Sequence, residues 1–479
     1  MVDESFKAQV DAYVDEVWED VVEDIRALVR HESVEDLSAA ELGKPWGPAS
    51  NAALVEAENI AERLGLEVTD VDGYLGFGDV PGASGPDTYV ATIAHSDIVP
   101  VGLGWNYPAL DVTRKDGFLI GRGVLDDKGP LAVSLWAAHF FKRWSDAGHE
   151  LPYTLRAIIG NNEETGMGDV GPYLARYPEP AFCFSPDADF PLICGEKGVY
   201  QGEFISGPIA GGLIAELDGG TVPNAICGQA TALVRHNAKT LPIDLDGRVT
   251  VEEAGEGLAR VTATGIGGHA SLPAGTLNAL GLLADYLLKA GVCNDAQRTF
   301  LNLICLLTSD TDGTAASIAC SDDKFGPLTC IQGTVRTDGD RFVLSVDSRY
   351  PTSTTGTDIT AAMVRVGQSF GCAYRVLKDE VPFYISPTSP EIKALLDTYE
   401  EYTGREGKAF VIGGGTYARH FKHACAFGPH EPAEPEPDWV GMEHGPDEGV
   451  SEEHLRRALK IYIVSIARLM ELELKTPAA

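Results

Sequence analysis

Apolar and polar positions change period along this chain. In residues 8–31, and again in 51–65 (NAALVEAENIAERLG), apolar side chains recur every third or fourth position, which predicts two amphipathic helices. A hairpin-like stretch follows, LEVTDVDGYLGFGDV, and then three apolar runs that read as buried strands: TYVATIA, TLRAIIG and AFCFS. Helical segments separate these runs. One is PLAVSLWAAHFFKRW, opened by Pro130 in its first turn, and the other is VGPYLARY. Strands alternating with helices predict a parallel sheet covered by helices.

The character changes after Asp187. From about 196 to 382 the segments VYQGEFI, ATALVRH, GRVTVEEA, LARVTATGIGG, RFVLSVDSRY and CAYRVLKDE read mostly as short alternating strands of antiparallel type. Helices TLNALGLLADYLLKAG and TDITAAMVRVGQSF lie among them. The α/β pattern resumes at PEIKALLDTYEEYTG, and SEEHLRRALKIYIVSIARLMELE closes the chain as a helix. The predicted fold class is α/β. A discontinuous domain, residues 1–195 and 383–479, carries a mainly parallel sheet flanked by helices, and an antiparallel α+β domain is inserted at 196–382. A length of 479 residues agrees, being too long for one compact core.

Charge and cysteine usage narrow the class of function. The net charge of −34, from 37 basic against 71 acidic residues, disfavours nucleic acid and anionic membrane surfaces as partners. No apolar run reaches the ~18 residues of a membrane span. The N-terminal segment MVDESFKAQVDAYVDEVWEDVVEDI is acidic and lacks the basic n-region of a secretory signal. Nine cysteines form no C-x-x-C pair and sit mostly in apolar contexts such as Cys183, Cys305 and Cys425. Buried thiols in a reducing compartment fit this pattern, and a cytoplasmic location is expected.

The candidate chemistry lies just beyond the apolar runs. His95-Ser96-Asp97 follows the first, Asn161-Asn162-Glu163-Glu164 the second, and Pro186-Asp187 the third. GRGVLDDKG holds Asp126 and Asp127, and MEHGPDE near the end holds His444. In an open parallel sheet the carboxyl ends of the strands line one crevice, so groups distant in sequence converge there. Imidazoles and carboxylates meeting in a crevice suit zinc, and two cations sharing a water provide both a nucleophile and a polarised carbonyl for amide hydrolysis. The candidate ligands are His95, Asp126, Glu164, Asp187 and His444. If one carboxylate bridges, each cation receives one His, one private carboxylate and the shared one. Asp97 can accept the second N–H of His95 and fix its tautomer. Glu163, beside Glu164 on a loop, can act as general base and then as acid toward the leaving amine. Taken singly, each piece has an ordinary reading: a chance H-x-D, a turn at Asp126–Gly129, a solvated helix start at Glu163–Glu164, a cap at Asp187. His430, also after a strand, competes with His444; His420, His423 and His454 read as surface histidines. Gly265–Ala270 formally fits G-x-G-x-x-A, but no helix opens after it, as dinucleotide binding would need.

Together, AHSDIVPVG, GRGVLDDKG, NNEETGMGDV, SPDADFP, GIGGHAS, VDSRYP, GGGTYAR and MEHGPDE resemble the M20 metallopeptidase family, and within it bacterial dipeptidases of the PepV type. The likeness runs from about residue 90 to 450 in the family's order. It implies that His95 and Asp187 hold one metal and Glu164 and His444 the other, with Asp126 bridging. It also implies a cis Asp126–Asp127 peptide, Asp97 orienting His95, and Glu163 as catalytic base. The inserted domain would be the family's lid, with His269 donating to the scissile carbonyl's oxygen and Arg349 gripping the substrate's terminal carboxylate. A buried structural His and an exposed salt bridge are the ordinary alternatives for these two. Gly414, Gly415, Thr416 and Arg419 resemble the family's glycine-rich loop beside the substrate. One departure stands out: relatives place an asparagine shortly before a Val-Pro pair, whereas here Asn224 follows Val222-Pro223. Either Asn224 substitutes or that contact is missing.

The expected function is a two-metal hydrolase of dipeptides or other short unblocked peptides, using zinc, with manganese or cobalt as alternatives. The expected partner is a small peptide substrate, and a monomer is favoured over a homodimer. An amidohydrolase acting on N-acyl amino acids is the alternative, and a non-catalytic peptide-binding protein is a remote one.

Overall fold

The computed structural model describes residues 2–477. The chain folds as two compact units. The first comprises Met1–Cys194, Tyr384–Phe410 and Gly415–Ala479; the second comprises Gly195–Phe383 and Val411–Gly414. The short piece Val411–Gly414 therefore returns to the inserted unit, which a single insertion at 196–382 did not anticipate.

In the first unit a mixed sheet has a parallel centre. Strands Thr154–Gly160, Tyr89–His95, Phe182–Ser185 and Ala424–Ala426 lie side by side, all parallel. The hairpin Glu67–Asp70 and Gly76–Val80 adds antiparallel strands beside Thr154–Gly160. Every residue of Tyr89–His95 and Thr154–Gly160 is buried, which explains their unbroken apolar runs, because a strand covered on both faces has no polar side. Helices Glu4–Val29, Lys128–Asp146 and Glu452–Met470 pack on one another, and the last two also contact this sheet. Glu452–Met470 is buried on most sides, including Leu455, Leu459, Tyr462, Ile463 and Ile466. The first helix starts at Glu4, earlier than its apolar period suggests, because the Asp3 carboxylate accepts the N–H of Phe6 as a cap. Lys128–Asp146 begins two residues before Pro130, which is tolerated because a first-turn residue has no intrahelical use for an N–H.

The second unit is built on an antiparallel sheet in the order Val249–Glu253, Ala259–Thr264, Gln229–Val234, Ile214–Gly219, Val335–Asp338, Arg341–Tyr350, Gly198–Ile205, Ala373–Glu380. Helices Ala279–Ala290 and Asp295–Leu307 share its core through Leu280, Leu283, Leu287, Phe300 and Ile304. The helix Asp295–Leu307 is absent from the sequence expectation, although Asn294 and Gln297 form a capping box that marks its start. Among the described residues no helix is long and apolar enough to cross a membrane.

One glycine couples this fold to the chemistry. A Cβ on Gly129 would stand 2.0 Å from the carbonyl oxygen of Val124, so the helix start packs directly on the loop bearing Asp126. Gly129→Ala is expected to destabilise the protein by about 1–3 kcal/mol through overpacking. Thermal unfolding measures this, and an unchanged midpoint would show that the loop relaxes freely.

Candidate metal centre

Three parallel strands deliver their chemistry to one edge of the first unit's sheet. His95 is the last residue of its strand and sits in register with Gly160, after which the chain turns through Glu163 and Glu164. Asp187 lies two residues past Ser185, the end of the neighbouring strand. Asp126 ends the loop before helix Lys128–Asp146, and its peptide bond to Asp127 is cis. His444 sits in an irregular loop at φ 62°, a left-handed backbone that a side chain other than glycine adopts only under constraint.

The five expected ligands come together. The two carboxylate oxygens of Asp126 face different imidazoles: Oδ1 lies 3.0 Å from His95 Nε2, and Oδ2 lies 2.9 Å from His444 Nε2. Asp187 Oδ2 stands 3.6 Å from His95 Nε2, and Glu164 Oε2 stands 3.1 Å from His444 Nε2. Donor atoms of Asp126, Glu164 and His444 lie within 4.8 Å of one another, and so do those of His95, Glu163 and Asp187. Glu163 thus belongs to the same cluster. Side-chain exposure falls from 53% at His444 to 18% at Asp187, 14% at Asp126 and zero at His95.

Electrostatics fit a cation-binding role. Burial raises the pKa of Glu163 well above the usual carboxylate range, and the charge of Asp187 adds to this. Burial and the charge of Asp126 likewise raise Glu164, and push Asp187 up to about 8. Burial acts the same way on Asp126, but hydrogen bonds from His444 and His95 outweigh it and hold Asp126 ionised. Hydrogen bonds to Asp126 and Glu164 raise His444 to about 11. Four crowded carboxylates destabilise one another, and dications relieve that repulsion. Imidazole nitrogens with carboxylate oxygens, one of the carboxylates facing both imidazoles, are a donor set suited to two divalent ions.

A frame of buried polar groups surrounds the candidate ligands. His95 Nδ1 lies 3.0 Å from the backbone carbonyl oxygen of Asp97 and 3.4 Å from its carboxylate. The Asp97 carboxylate itself accepts the N–H groups of Glu163 and Glu164 at 3.2 and 3.1 Å. It therefore holds the Glu163–Glu164 turn as well as standing beside His95, a second task that the H-x-D spacing does not reveal. Asp127, fully buried, accepts the N–H of His95 at 2.9 Å. Arg122 and Glu448 form a buried pair at 2.5 Å. Asp447 accepts from the backbone and side chain of Asn106. Arg122, Asp447 and Glu448 lie within the motifs GRGVLDDKG and MEHGPDE, yet nothing in the sequence pattern assigned them a role; their adjacency to ligand segments was the only signal.

In the second unit, Ser271 Oγ lies 2.7 Å from His269 Nδ1, and the Ser271 N–H also points to that nitrogen at 3.3 Å. His269 is exposed, so the buried structural reading is wrong for it. Burial of part of the ring and the nearby Arg349 charge lower its pKa and keep it neutral. Arg349 is buried and bonded to Asp347 through Nε (2.7 Å) and Nη2 (3.1 Å), so it is not an exposed salt bridge. Its Nη1 donates to the carbonyl oxygen of Gly413 at 2.8 Å. Asn224 lies beside the His269 strand, its carbonyl accepting the N–H of Ala270 at 2.9 Å. Gly414 falls in the second unit, whereas Gly415, Thr416 and Arg419 fall in the first. Thr416 caps the short helical turn Tyr417–His420, which contains Arg419.

Of the remaining histidines, His454 departs from expectation. His430 pairs with Asp189 at 2.5 Å rather than with the ligand cluster. His423 is exposed and His420 half-buried, but His454 is buried, with Glu434 2.6 Å from its Nε2. His454 lies on the inward face of the last helix, which the polar SEEH start concealed.

The sequence profile of Peptidase family M20/M25/M40 matches residues 91–468. A Bacillus subtilis (strain 168) protein named "Putative dipeptidase YtjP" is 30% identical over 471 residues, covering 94% of this chain and 97% of the relative. The Beta-Ala-Xaa dipeptidase of Lactobacillus delbrueckii subsp. lactis is 28% identical over 486 residues, covering 98% of this chain and 99% of the relative. Human carnosine dipeptidase 1 matches in structure with a TM-score of 0.60 at 14% identity, over 97% of this chain and 99% of that one, a likeness of fold.

Proton linkage gives a test of the centre. In the metal-free protein His444, at about 11, and Asp187, at about 8, both carry protons at neutral pH. A cation must displace them, so apparent affinity should rise with pH, with protons released from both groups below about pH 8 and from His444 alone between about pH 8 and pH 11. Calorimetric titration of zinc in buffers of different ionisation enthalpy counts the released protons. Binding without proton release would contradict this electrostatic picture.

Proposed function

The chain belongs to peptidase family M20/M25/M40 and is a metal-dependent peptidase; from that footing we propose that it hydrolyses unblocked dipeptides with a two-cation centre and Glu163 as general base. The observation that carries this reading is the Asp126 carboxylate, whose two oxygens face two separate imidazoles at 3.0 and 2.9 Å. In the proposal His95 and Asp187 would hold one cation and Glu164 and His444 the other, with Asp126 shared between them. Zinc comes first, with manganese or cobalt as alternatives. Such a pair of cations supplies polarisation of the scissile carbonyl and acidification of water.

The remaining steps belong to side chains. Glu163 takes a proton from the attacking water and returns it to the departing amine, so the C–N bond breaks with a neutral leaving group. Burial raises its pKa above the usual carboxylate range, the direction that helps a group which must give up a proton as well as accept one. Asp97 stands beside His95 and holds the Glu163 turn. In the second unit His269 is assigned as a donor to the developing oxyanion. Ser271 occupies its Nδ1, which favours the tautomer carrying the proton on Nε2. Arg349, its fork fixed by Asp347 and Gly413, is assigned to the substrate carboxylate. Asn224, Gly414, Gly415, Thr416 and Arg419 remain proposed substrate contacts. None of the nine cysteines is in a disulfide, which supports the cytoplasmic reading.

Two measurements test this. Purified protein assayed on free dipeptides, including β-alanyl and Xaa-His forms, should turn them over in preference to their N-acetylated counterparts. Turnover of only the blocked compounds would replace the dipeptidase reading with the amidohydrolase one. Glu163→Gln should lower kcat by about 10²–10⁴-fold with two cations per chain retained by elemental analysis. Loss of one cation would instead make Glu163 a ligand, a role its place in the His95–Asp187 group also permits.

A further inference from the structure

We propose that the buried Arg122–Glu448 pair is a positioning device that sets Asp126 against His444, and so governs affinity for the cation assigned to Asp126, Glu164 and His444. This rests on the two-cation reading. The pair joins two ligand segments separated by more than three hundred residues. Glu448 Oε1 accepts the N–H groups of Gly123, Leu125 and Asp126 at 2.9, 3.0 and 3.2 Å. Its other oxygen meets Arg122 Nη1 at 2.5 Å. Arg122 Nη2 in turn donates to the carbonyl oxygens of His444 and Val101 at 3.1 and 3.3 Å. A continuous path of hydrogen bonds therefore runs from the backbone of one ligand, Asp126, to the backbone of the other, His444.

His444 depends on such a path more than the other ligands do. His95 ends a fully buried strand, and Asp187 follows another. His444 has no regular element behind it, its side chain is 53% exposed, and its backbone is left-handed. Its loop is held by polar side chains instead: by Arg122 at the His444 carbonyl, and by Asp447 through Asn106 and Tyr107. As a source of stability alone the pair is a poor choice, because a fully desolvated ion pair returns little more than an apolar pair of similar volume. Its geometry is better explained by what it aligns. Outer partners that orient metal ligands carry ~10–100-fold in metal affinity.

The test titrates zinc into metal-stripped wild type, Glu448→Gln and the charge-free double variant Arg122→Met/Glu448→Gln. Glu448→Gln keeps an oxygen for the three N–H groups but leaves the Arg122 charge without its carboxylate, whereas the double variant leaves no unpaired buried charge and is the one expected to keep the fold. The metal-free melting temperature is read alongside. The expected result is two cations on wild type and, in the double variant, ~10–100-fold weaker binding of the cation assigned to Glu164 and His444, with a smaller loss at the other, which shares Asp126 but not His444. Glu448→Gln should show a smaller loss at the same site. Equal weakening of both sites, or wild-type affinity at both with only the melting temperature shifted, would reduce the pair to a structural role and overturn the proposal. A wild type that takes up only one cation would overturn the two-cation reading itself, whatever the variants do.

Discussion

The structure turns on one electrostatic constraint: four carboxylates and two imidazoles are held close together and largely out of water. Such a group is unstable by itself. Burial penalises each carboxylate charge, and each carboxylate penalises its neighbours, which is why Glu163, Glu164 and Asp187 are all pushed toward their protonated forms. Asp126 escapes because an imidazole stands at each of its oxygens. The arrangement makes physical sense as a receptacle for positive charge, and the fold supplies the rigidity that keeps the carboxylates from separating.

That rigidity is unevenly distributed. His95, the Glu163–Glu164 turn and Asp187 all follow buried parallel strands, where backbone pairing fixes their origins. Asp97 and Asp127 then tie these origins together through backbone N–H groups. Asp126 and His444 come from loops, and for them charged side chains replace the sheet. Ionised acceptors and donors make the stronger hydrogen bonds, so a carboxylate binding several N–H groups stiffens a loop that has no ladder of its own. In the second unit Asp347 does the same for Arg349, and Ser271 sets the tautomer of His269.

Much of this was legible beforehand. Unbroken apolar runs marked the central strands, and residues placed just past them marked the crevice, because a parallel sheet gathers its carboxyl ends. The antiparallel character of residues 196–382 showed in alternation of period two. Less legible were features that depend on a single local bond or on distant packing. The helix Asp295–Leu307 was signalled only by the Asn294/Gln297 cap. A strand before His430 was readable, but the place of Ala424–Ala426 beside Phe182–Ser185 was not. His454 was misjudged because the polar start of the last helix hides how completely that helix is enclosed.

The sequence by itself determined the kinds of groups present and the strand ends on which most of them ride, since periodicity and strand order are local properties of the chain. It determined the family as well, through motifs kept in order. Only the tertiary structure decided that Asp126 divides its oxygens between His95 and His444, that Glu163 stands among the candidate ligands, and that Glu448 and Arg122 join the loops behind them. Those facts concern distances of about 3 Å between residues tens to hundreds of positions apart. Such distances follow from how loops close against one another, and no local pattern encodes them.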